Sequence, residues 1–391
     1  MSEGERSRVV RQERPFNAGT PMAALADPVV PNRLFYVRSH FEVPEIDPGA
    51  WRLSVGGAVE RPLELSLAGL KELPRREVAV TLECAGNGRT RMRPVPGGTP
   101  WDLDAVSTAR FAGASLAPVL EQAGVAESAV EILFAGADRG EVAPGRPEAF
   151  ERSLPVADAR DPDTILAWEM NGEPLPPDHG RPVRLVVPRW YGVASVKWLC
   201  RIEAVSEPFQ GYFQTVKYTI QRKTGRGEVT EVVGEMPPKS EILRPSDKAE
   251  LGIGTNRIFG FAWAGEDAVA RVEVSVDGGE SWGRAELNGP QAPYSWTLWE
   301  YLWEVSAPGE YTLLSRAISQ GGQVQPMDHD PLWGGYLITF SRPTTVTVRP
   351  GLKSDFLGGT GALRRELEAA VEERARLPLD VEMQFDAGGG I

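Results

Sequence analysis

Glycine and proline recur along the whole chain: 42 glycines and 33 prolines are spread through its 391 residues. Glycine accepts the left-handed backbone conformations that turns require, and proline interrupts helices and central strands. The pattern therefore favours many short strands and helices joined by turns over long uninterrupted helices.

Short strand-like and helical runs alternate between residues 34 and about 205. The run VAVTL at 78–82 and the apolar run at 183–187 have the length and composition of strands. The run ASLAPVLEQA at 114–123 predicts a helix that ends at Gly124. This part of the chain is therefore predicted to be α+β.

The pattern changes after residue 242, where strand-like runs follow one another. Residues 272–276 read VEVSV, a clean alternation of apolar and polar side chains, and the DGG turn at 277–279 follows as in a hairpin. Six or seven such strands in about 100 residues predict an immunoglobulin-like β-sandwich. The strand-like runs lie at 258–263, 269–276, 295–305, 311–317 and 344–348.

These patterns divide the chain into four predicted parts. An N-terminal arm, 1–30, precedes an α+β domain at 31–240, and the sandwich follows at 241–350. Residues 351–391 complete the chain with a charged amphipathic helix at 361–376 and a tail that ends in a glycine run.

Charge and hydropathy exclude several functions. The chain has 42 Lys and Arg against 54 Asp and Glu, a formal net charge of -12, so a general basic surface for nucleic acid is not expected. No stretch approaches about 18 uninterrupted apolar residues, so no membrane span is expected. The charged first residues lack the apolar run of a secretory signal, which predicts a cytoplasmic protein, or a periplasmic one if a leader precedes this sequence.

The chain has two cysteines, Cys84 and Cys200, and three histidines. Two cysteines cannot form a disulfide scaffold in a chain of this size. The chain has no C-x-x-C, no H-E-x-x-H and no G-x-x-x-x-G-K-[ST], which excludes the common zinc, dithiol and nucleotide motifs.

One segment contains a candidate metal-binding or nucleophilic residue. Residues 81–89 read TLECAGNGR, so a strand ends on Cys84 and a turn of small residues follows. Arg89, Arg91 and Arg93 come next, and cationic neighbours favour the thiolate, which is a soft metal ligand or a nucleophile. The alternative is a buried structural cysteine, the usual role of an isolated Cys, and the residues alone leave both interpretations open.

The run ECAGNGR resembles the molybdenum-ligand motif of the sulfite oxidase family. Further matches follow the family's order from about residue 32 to 340, and a set of ordered motifs is far more specific than one. In the first domain the matching segments are FYVRSH at 35–40, MNG at 170–172, DHGRPVR at 178–184 and SVKW at 195–198. In the second domain they are VDGG at 276–279 and WTLWE at 296–300.

The resemblance implies a molybdopterin cofactor with molybdenum, to which Cys84 would supply the protein's thiolate. Arg and Lys are natural charge-assisted partners for the pterin phosphate, and Asp138 could accept hydrogen bonds from the pterin amino groups. The residues at positions where the family contacts the cofactor are Tyr36, Arg38, His40, Cys84, Asp138, His179, Arg184, Ser195 and Lys197.

The resemblance also implies a site for sulfite, a small oxyanion that fixed guanidinium groups can bind. Arg38 and Arg89 match the family's anion-binding positions, and Trp101 and Tyr218 match its pocket tryptophan and tyrosine. At two positions this sequence departs from the family pattern, and both changes remove a positive charge from the expected anion site. Gly88 replaces the first of two adjacent arginines, and no arginine stands near Ala292, where our alignment places the family's second-domain arginine.

The expected activity is oxidation of sulfite to sulfate, with an alternative in reduction of nitrate, another oxyanion or an S-oxide on the same metal. No haem-binding histidine pair is evident, so we expect no haem and an external electron acceptor such as a cytochrome or dioxygen. The sandwich is expected to form a homodimer. A non-catalytic binding role is the competing class, and Cys84 discriminates because a binding module needs no such thiolate.

Overall fold

The computed structural model describes residues 7–265, 267–288 and 292–352. The helix predicted at 361–376 lies outside the described residues. The strands of the first half are β1 Val9–Gln12, β2 Asn17–Gly19, β3 Arg52–Gly57, β4 Leu63–Ser66, β5 Arg75–Glu83, β6 Val106–Ser115, β7 Glu131–Ala143, β8 Arg146–Pro155, β9 Ile165–Met170, β10 Glu173–Pro174, β11 Arg184–Val186 and β12 Leu199–Val205. The helices are α1 Leu67–Lys71, α2 Ala117–Ala123 and α3 Val156–Ala159.

Two five-stranded sheets organise the first domain. One has the order β10-β9-β6-β5 with β11 also paired to β9, and the other has the order β4-β3-β12-β7-β8. Strand β6 is buried along almost its whole length, as expected for a strand covered on both faces. The strand predicted at 78–82 lies within β5, and the one predicted at 183–187 corresponds to β11.

The helices of the described residues are short, as the glycine and proline pattern predicts. Helix α2 ends at Gly124, which adopts a left-handed conformation with φ 70° and whose N–H bonds to Leu120 O. Its start differs from the prediction, because residues 114 and 115 extend β6 and Pro118 occupies the first turn. No helix in the described ranges is long and apolar enough to cross a membrane.

The N-terminal segment packs against the first domain instead of extending away from it. Strands β1 and β2 form a hairpin, and Asn17, Ala18 and Thr20 are fully buried. Asn17 Oδ1 accepts the Ser39 N–H at 2.8 Å, and Ala18 exchanges two backbone hydrogen bonds with Val37. These contacts join residues that are distant in the sequence, so the pattern of apolar residues within the segment does not predict them.

The second domain is the predicted sandwich of two sheets. Their orders are β15-β17-β21-β20 and β16-β23-β22-β18-β19, and their facing side chains enclose a separate core that includes Val272, Trp299 and Leu313. Before the sandwich, β13 and β14 form a two-stranded hairpin. The strands are β13 Thr219–Thr224, β14 Gly227–Val232, β15 Lys239–Arg244, β16 Ala249–Gly252, β17 Gly254–Trp263, β18 Val269–Ser275, β19 Gly283–Arg284, β20 Glu286–Asn288, β21 Thr297–Val305, β22 Gly309–Ser319 and β23 Thr344–Arg349.

A buried charged pair joins the two domains beside Cys84. Lys239 Nζ, on β15, donates to Glu83 Oε1 at 3.0 Å, and both side chains are at most 2% exposed. Trp263 Nε1 donates to Glu83 Oε2 at 3.0 Å, and Asn87 Nδ2 donates to Oε1 at 3.1 Å. The carboxylate at the end of β5 is therefore held by the turn after it and by the sandwich.

Replacing Lys239 by methionine should lower the free energy of unfolding by about 3–5 kcal/mol, because it leaves Glu83 as a buried charge without its cation. Denaturant unfolding of the full chain measures the effect. Lys223→Met, on the exposed β13 strand, is the matched control and should change stability by less than about 0.5 kcal/mol.

The double variant Glu83→Gln/Lys239→Met removes both charges and should be more stable than Lys239→Met alone. Equal stability of the single and double variants would show that the uncompensated carboxylate is not the cause of the loss.

Candidate active site

A pocket that is open to solvent lies in the first domain. Its wall brings together residues from the segment 35–40, the end of β5, β7, the 177–184 region and the residues just before β12. Ten of the twelve residues predicted for the site line it: Tyr36, Arg38, His40, Cys84, Asp138, His179, Arg184, Ser195, Lys197 and Tyr218.

Cys84 lies at the pocket wall, directly after β5, and is 6% exposed. Its N–H bonds to Ala105 O at 2.9 Å, and its carbonyl accepts the Asn87 N–H at 2.8 Å, which closes the turn of small residues. Gly86 lies close to the Arg89 side chain: a Cβ at Gly86 would lie 2.4 Å from Arg89 Cζ. The backbone thus presents a free thiol to the pocket.

The three arginines after the motif do not line the pocket. Arg91 forms ion pairs with Asp102 at 2.6 Å and with Glu241 at 3.1 Å, and Arg93 donates to backbone carbonyls at the surface. The cations that line the pocket together with Cys84 are instead Arg38, Arg184 and Lys197.

Two cations, the buried Arg184 and the half-buried Lys197, line the pocket without a carboxylate partner among the described residues. Arg184 donates to the carbonyls of His179 and Ser195 at 3.2 and 3.1 Å, and Lys197 donates to Asp178 O at 2.9 Å and to Ser39 Oγ at 2.8 Å. Among the described residues, neither cation takes part in an ion pair. Neutral acceptors compensate a buried charge only in part, so the site favours an anion.

Burial changes the ionisation of these cations. Desolvation lowers the pKa of Lys197 to about 7, with Arg184 adding to the effect and Asp138 opposing it. Desolvation also lowers the pKa of Arg184 to about 10. A phosphate bound in the pocket would raise the pKa of both cations again, because a nearby opposite charge favours their ionised form.

A third cation, Arg38, approaches from the segment 35–40. Its Nη1 donates to Asn17 Oδ1 at 3.2 Å and to the Ser39 carbonyl. Asn17 belongs to β2, so the packed N-terminal hairpin orients this guanidinium. The pocket thus holds three cations that come from separate parts of the chain.

Asp138 is the acidic member of the pocket. It is 4% exposed, and its Oδ1 has no hydrogen-bond partner among the described residues. Desolvation raises the pKa of Asp138 to about 6, while Lys197 opposes the shift. Gly136 leaves room beside it, because a Cβ there would lie 2.4 Å from Oδ1. An unpartnered buried acceptor at a pocket wall suits a ligand that presents N–H groups.

His40 and Tyr218 form a hydrogen-bonded pair. Tyr218 Oη lies 2.7 Å from His40 Nε2, and the imidazole packs on Phe150 and Phe213. Burial, followed by the charge of Arg38, lowers the pKa of His40 well below its usual value, and burial raises the pKa of Tyr218 to about 12. The ring is therefore neutral, and its hydrogen bond with Tyr218 restricts the orientation of that hydroxyl group.

Arg89 and Trp101 are not among the residues that line the pocket. Trp101 is fully buried, packs edge-on against Tyr36 at 6.5 Å, and its Nε1 has no partner among the described residues. Arg89 Nε donates to Gly335 O at 3.0 Å, and its guanidinium lies 5.3 Å from the Tyr336 ring centre.

Tyr336 is a site-edge residue that sequence reasoning missed. It comes from the second domain, packs against Tyr218 at 5.2 Å, and its hydroxyl accepts the Tyr218 N–H at 3.3 Å. The segment around Ala292 instead packs along β5, where Tyr294 O accepts the Thr81 N–H at 2.7 Å. No local motif marked Tyr336, because only its distant contacts bring it to the site.

Arg8, in the N-terminal segment, was also missed. It forms an ion pair with Asp178 at 2.5 Å and lies 3.0 Å from His179 Nε2. An arginine in a charged N-terminal run carries no sequence signal that distinguishes it from a solvated one.

Comparison with known proteins agrees with this geometry. Residues 40–213 match the oxidoreductase molybdopterin-binding domain, and residues 230–335 match the Mo-co oxidoreductase dimerisation domain. The fold and the site thus define a molybdopterin-binding oxidoreductase domain followed by a dimerisation domain.

The chain belongs to the sulfite oxidase family. It is 39% identical to the sulfite oxidase of Gallus gallus over 344 residues, covering 83% of this chain and 74% of that protein. It is also 39% identical to the mitochondrial sulfite oxidase of Mus musculus over 343 residues, covering 83% of this chain and 62% of the length of the mouse protein. The sulfane dehydrogenase SoxCD of Paracoccus pantotrophus has a similar structure, with TM-score 0.76, 28% identity and 90% of each chain covered.

The desolvated amine of Lys197 predicts a pH dependence in protein freed of cofactor. Its pKa is about 7 in the folded chain and 10.5 ordinarily, so between these values the unfolded chain binds a proton that the folded chain does not. Stability should therefore rise as the pH increases from 7 towards 10. Lys197→Met should be more stable at pH 7 and should lose this part of the slope in pH-dependent denaturant unfolding.

Lys223→Met, at an exposed position, is the control and should keep the wild-type slope. A slope unchanged in Lys197→Met would contradict a buried amine that loses its proton near pH 7.

Proposed function

We propose that this protein oxidises sulfite to sulfate with a molybdopterin cofactor bound in the pocket. The observation that carries the proposal is one wall that combines the Cys84 thiol with two cations, Arg184 and Lys197, that have no carboxylate partner among the described residues. A thiolate ligand and a set of donors for a phosphate are what this cofactor requires. The sulfite oxidases among its relatives support the choice of substrate.

The pocket residues have the chemical groups that binding of this cofactor requires. Cys84 would ligate molybdenum, and Arg184 and Lys197 would bind the pterin phosphate. Asp138 Oδ1, unpartnered among the described residues, would accept pterin N–H groups. Tyr36, His40, His179 and Ser195 complete the predicted cofactor-binding set, and all four line the same pocket.

When bound, the molybdenum group accepts two electrons as sulfite and water become sulfate and two protons. The chain's own task is to bind and orient the anion. We assign anion binding to Arg38, which lines the pocket and which Asn17 orients. Arg89, the other predicted anion-binding residue, lies outside the pocket wall beside Tyr336, so we assign it a supporting charge without direct contact. We assign Tyr218, which is hydrogen-bonded to His40, to shaping the pocket, together with Trp101, which packs behind the pocket residue Tyr36.

The electrons leave, in this proposal, to an external acceptor such as a cytochrome or dioxygen, without a haem on this chain. Two of its three histidines, His40 and His179, line the pocket. We place the protein in the cytoplasm, a compartment in which its two free cysteines would stay reduced.

The sandwich domain is proposed to form a two-fold symmetric homodimer, because residues 230–335 match a dimerisation domain. Light scattering of the purified protein at micromolar concentration should give twice the chain mass of 42.6 kDa. A monomeric mass across the accessible concentrations would contradict this prediction.

Cys84→Ser should abolish nearly all sulfite-dependent reduction of an artificial electron acceptor, because a hydroxyl is a harder and poorer ligand for the metal than a thiolate. The pterin should remain bound through Arg184, Lys197 and Asp138. Turnover, molybdenum content and pterin content are measured on the same preparations. Cys200→Ser is the matched control and should keep wild-type activity, since Cys200 is outside the pocket.

Near-normal turnover of Cys84→Ser would exclude Cys84 as the ligand. Molybdenum-loaded wild type that fails to oxidise sulfite but reduces nitrate or an S-oxide would replace the proposed substrate with the alternative one.

A further inference from the structure

The N-terminal segment carries a side chain that reaches the site from outside the matched family domains, the first of which begins at residue 40. Arg8 lies just before β1, and its side chain is 14% exposed. Its Nη1 donates to Asp178 Oδ2 at 2.5 Å, and its Nη2 donates to Asn32 O at 3.0 Å. A guanidinium held by a carboxylate and a carbonyl is confined to one geometry.

The same Nη2 lies 3.0 Å from His179 Nε2. Because a guanidinium has donors and no acceptor, His179 Nε2 must accept this hydrogen bond. Burial lowers the pKa of His179 to about 3, so the ring is neutral and carries its one proton on Nδ1. Arg8 therefore determines which ring nitrogen of a pocket residue is the donor.

Asp178 would favour the opposite tautomer. Its Oδ1 lies 3.9 Å from His179 Nε2, and a carboxylate in that place attracts a proton to Nε2. The ion pair with Arg8 neutralises the carboxylate and places a donor in front of Nε2 instead. Removing Arg8 thus reverses the preference without touching the imidazole itself.

The loop 177–180, which carries both residues, is also held through its carbonyls. Lys197 donates to Asp178 O at 2.9 Å, Arg184 to His179 O at 3.2 Å, and Trp198 to Pro177 O at 2.8 Å. These three donors position the backbone of the loop. Arg8, by contrast, positions the side chains of Asp178 and His179 in this loop.

We propose that Arg8 is a positioning residue of the cofactor site, which holds His179 in the tautomer whose Nδ1–H donates to an acceptor atom of the cofactor. The inference rests on the proposed function, because it requires a cofactor in the pocket. It extends the site to the N-terminal segment, which neither matched domain includes.

The test is the rate of cofactor release from purified holoprotein, followed as pterin fluorescence in protein-free filtrates. Arg8→Met keeps a long apolar side chain and removes every donor, so release should be about 10–100-fold faster, as is typical when a group that orients a ligand residue is lost. Arg8→Lys keeps the charge but not the forked donors, so it should fall between wild type and Arg8→Met.

Arg11→Met is the matched control. Arg11 lies in the same segment and forms an ion pair with Asp104 at 2.7 Å, and neither residue lines the pocket. Its loss weakens the docking of the segment while leaving the Arg8 contacts in place. Arg11→Met should therefore release cofactor at close to the wild-type rate.

A second measurement reports the tautomer directly. The chain has only three histidines, so ¹⁵N-histidine labelling gives few resonances, and a His179→Gln spectrum identifies those of His179. Wild type and Arg11→Met should show the proton on Nδ1. Arg8→Met should show it on Nε2.

The outcomes separate this inference from the proposed function. Equal cofactor release from Arg8→Met and Arg11→Met would show that only docking of the segment matters, and would overturn the role of Arg8. Wild-type release and an unchanged tautomer in Arg8→Met would overturn it as well, with the proposed function intact. Wild-type protein purified from a molybdopterin-producing host without pterin or molybdenum would overturn the proposed function itself, and the inference with it.

Discussion

The buried carboxylate of Glu83 links the two domains next to Cys84. It accepts hydrogen bonds from Asn87 in the turn, from Lys239 on β15 and from Trp263 on β17. A charge this deeply buried is tolerated only when its donors are all in place. The end of β5, the turn that positions the thiol and the start of the sandwich are therefore stabilised together, so the second domain supports the site directly.

The pocket differs from the surroundings of Glu83, because several of its charged groups lack an oppositely charged partner among the described residues. Among the described residues, the buried Arg184 and the half-buried Lys197 have only neutral oxygen acceptors, and Asp138 keeps an unpartnered oxygen. These arrangements cost stability in the absence of a ligand, and an anionic group that also presents N–H donors compensates both. Ligand binding and folding are thus thermodynamically linked, since a ligand that binds only the folded chain stabilises it.

The site is assembled from distant parts of the chain. The N-terminal segment contributes the residues that orient Arg38 and His179, and the second domain contributes Tyr336 beside Tyr218 and Arg89. The first domain supplies the reactive and ligand-binding groups of the pocket. The N-terminal segment and the second domain determine how several of these side chains are oriented. Substitutions in either neighbour are therefore expected to affect the site without altering any residue that lines it.

Local patterns in the sequence determined much of the fold. The apolar run at 78–82, the alternation at 272–276 and the left-handed Gly124 each depend on interactions within a few residues, so each was predictable from the sequence. The ordered motifs also contain eight of the ten predicted residues that line the pocket, because each motif lies on one short segment whose backbone presents it.

Tertiary structure alone decided where the long charged side chains go. Arg89 turns to Gly335, 246 residues away, and Arg8 reaches His179, 171 residues away. A flexible arginine can reach many acceptors from one backbone position, and the one it binds depends on which elements pack beside it. The sequence therefore determined which groups the site contains, and the packing of the two domains and the N-terminal hairpin decided which of them meet.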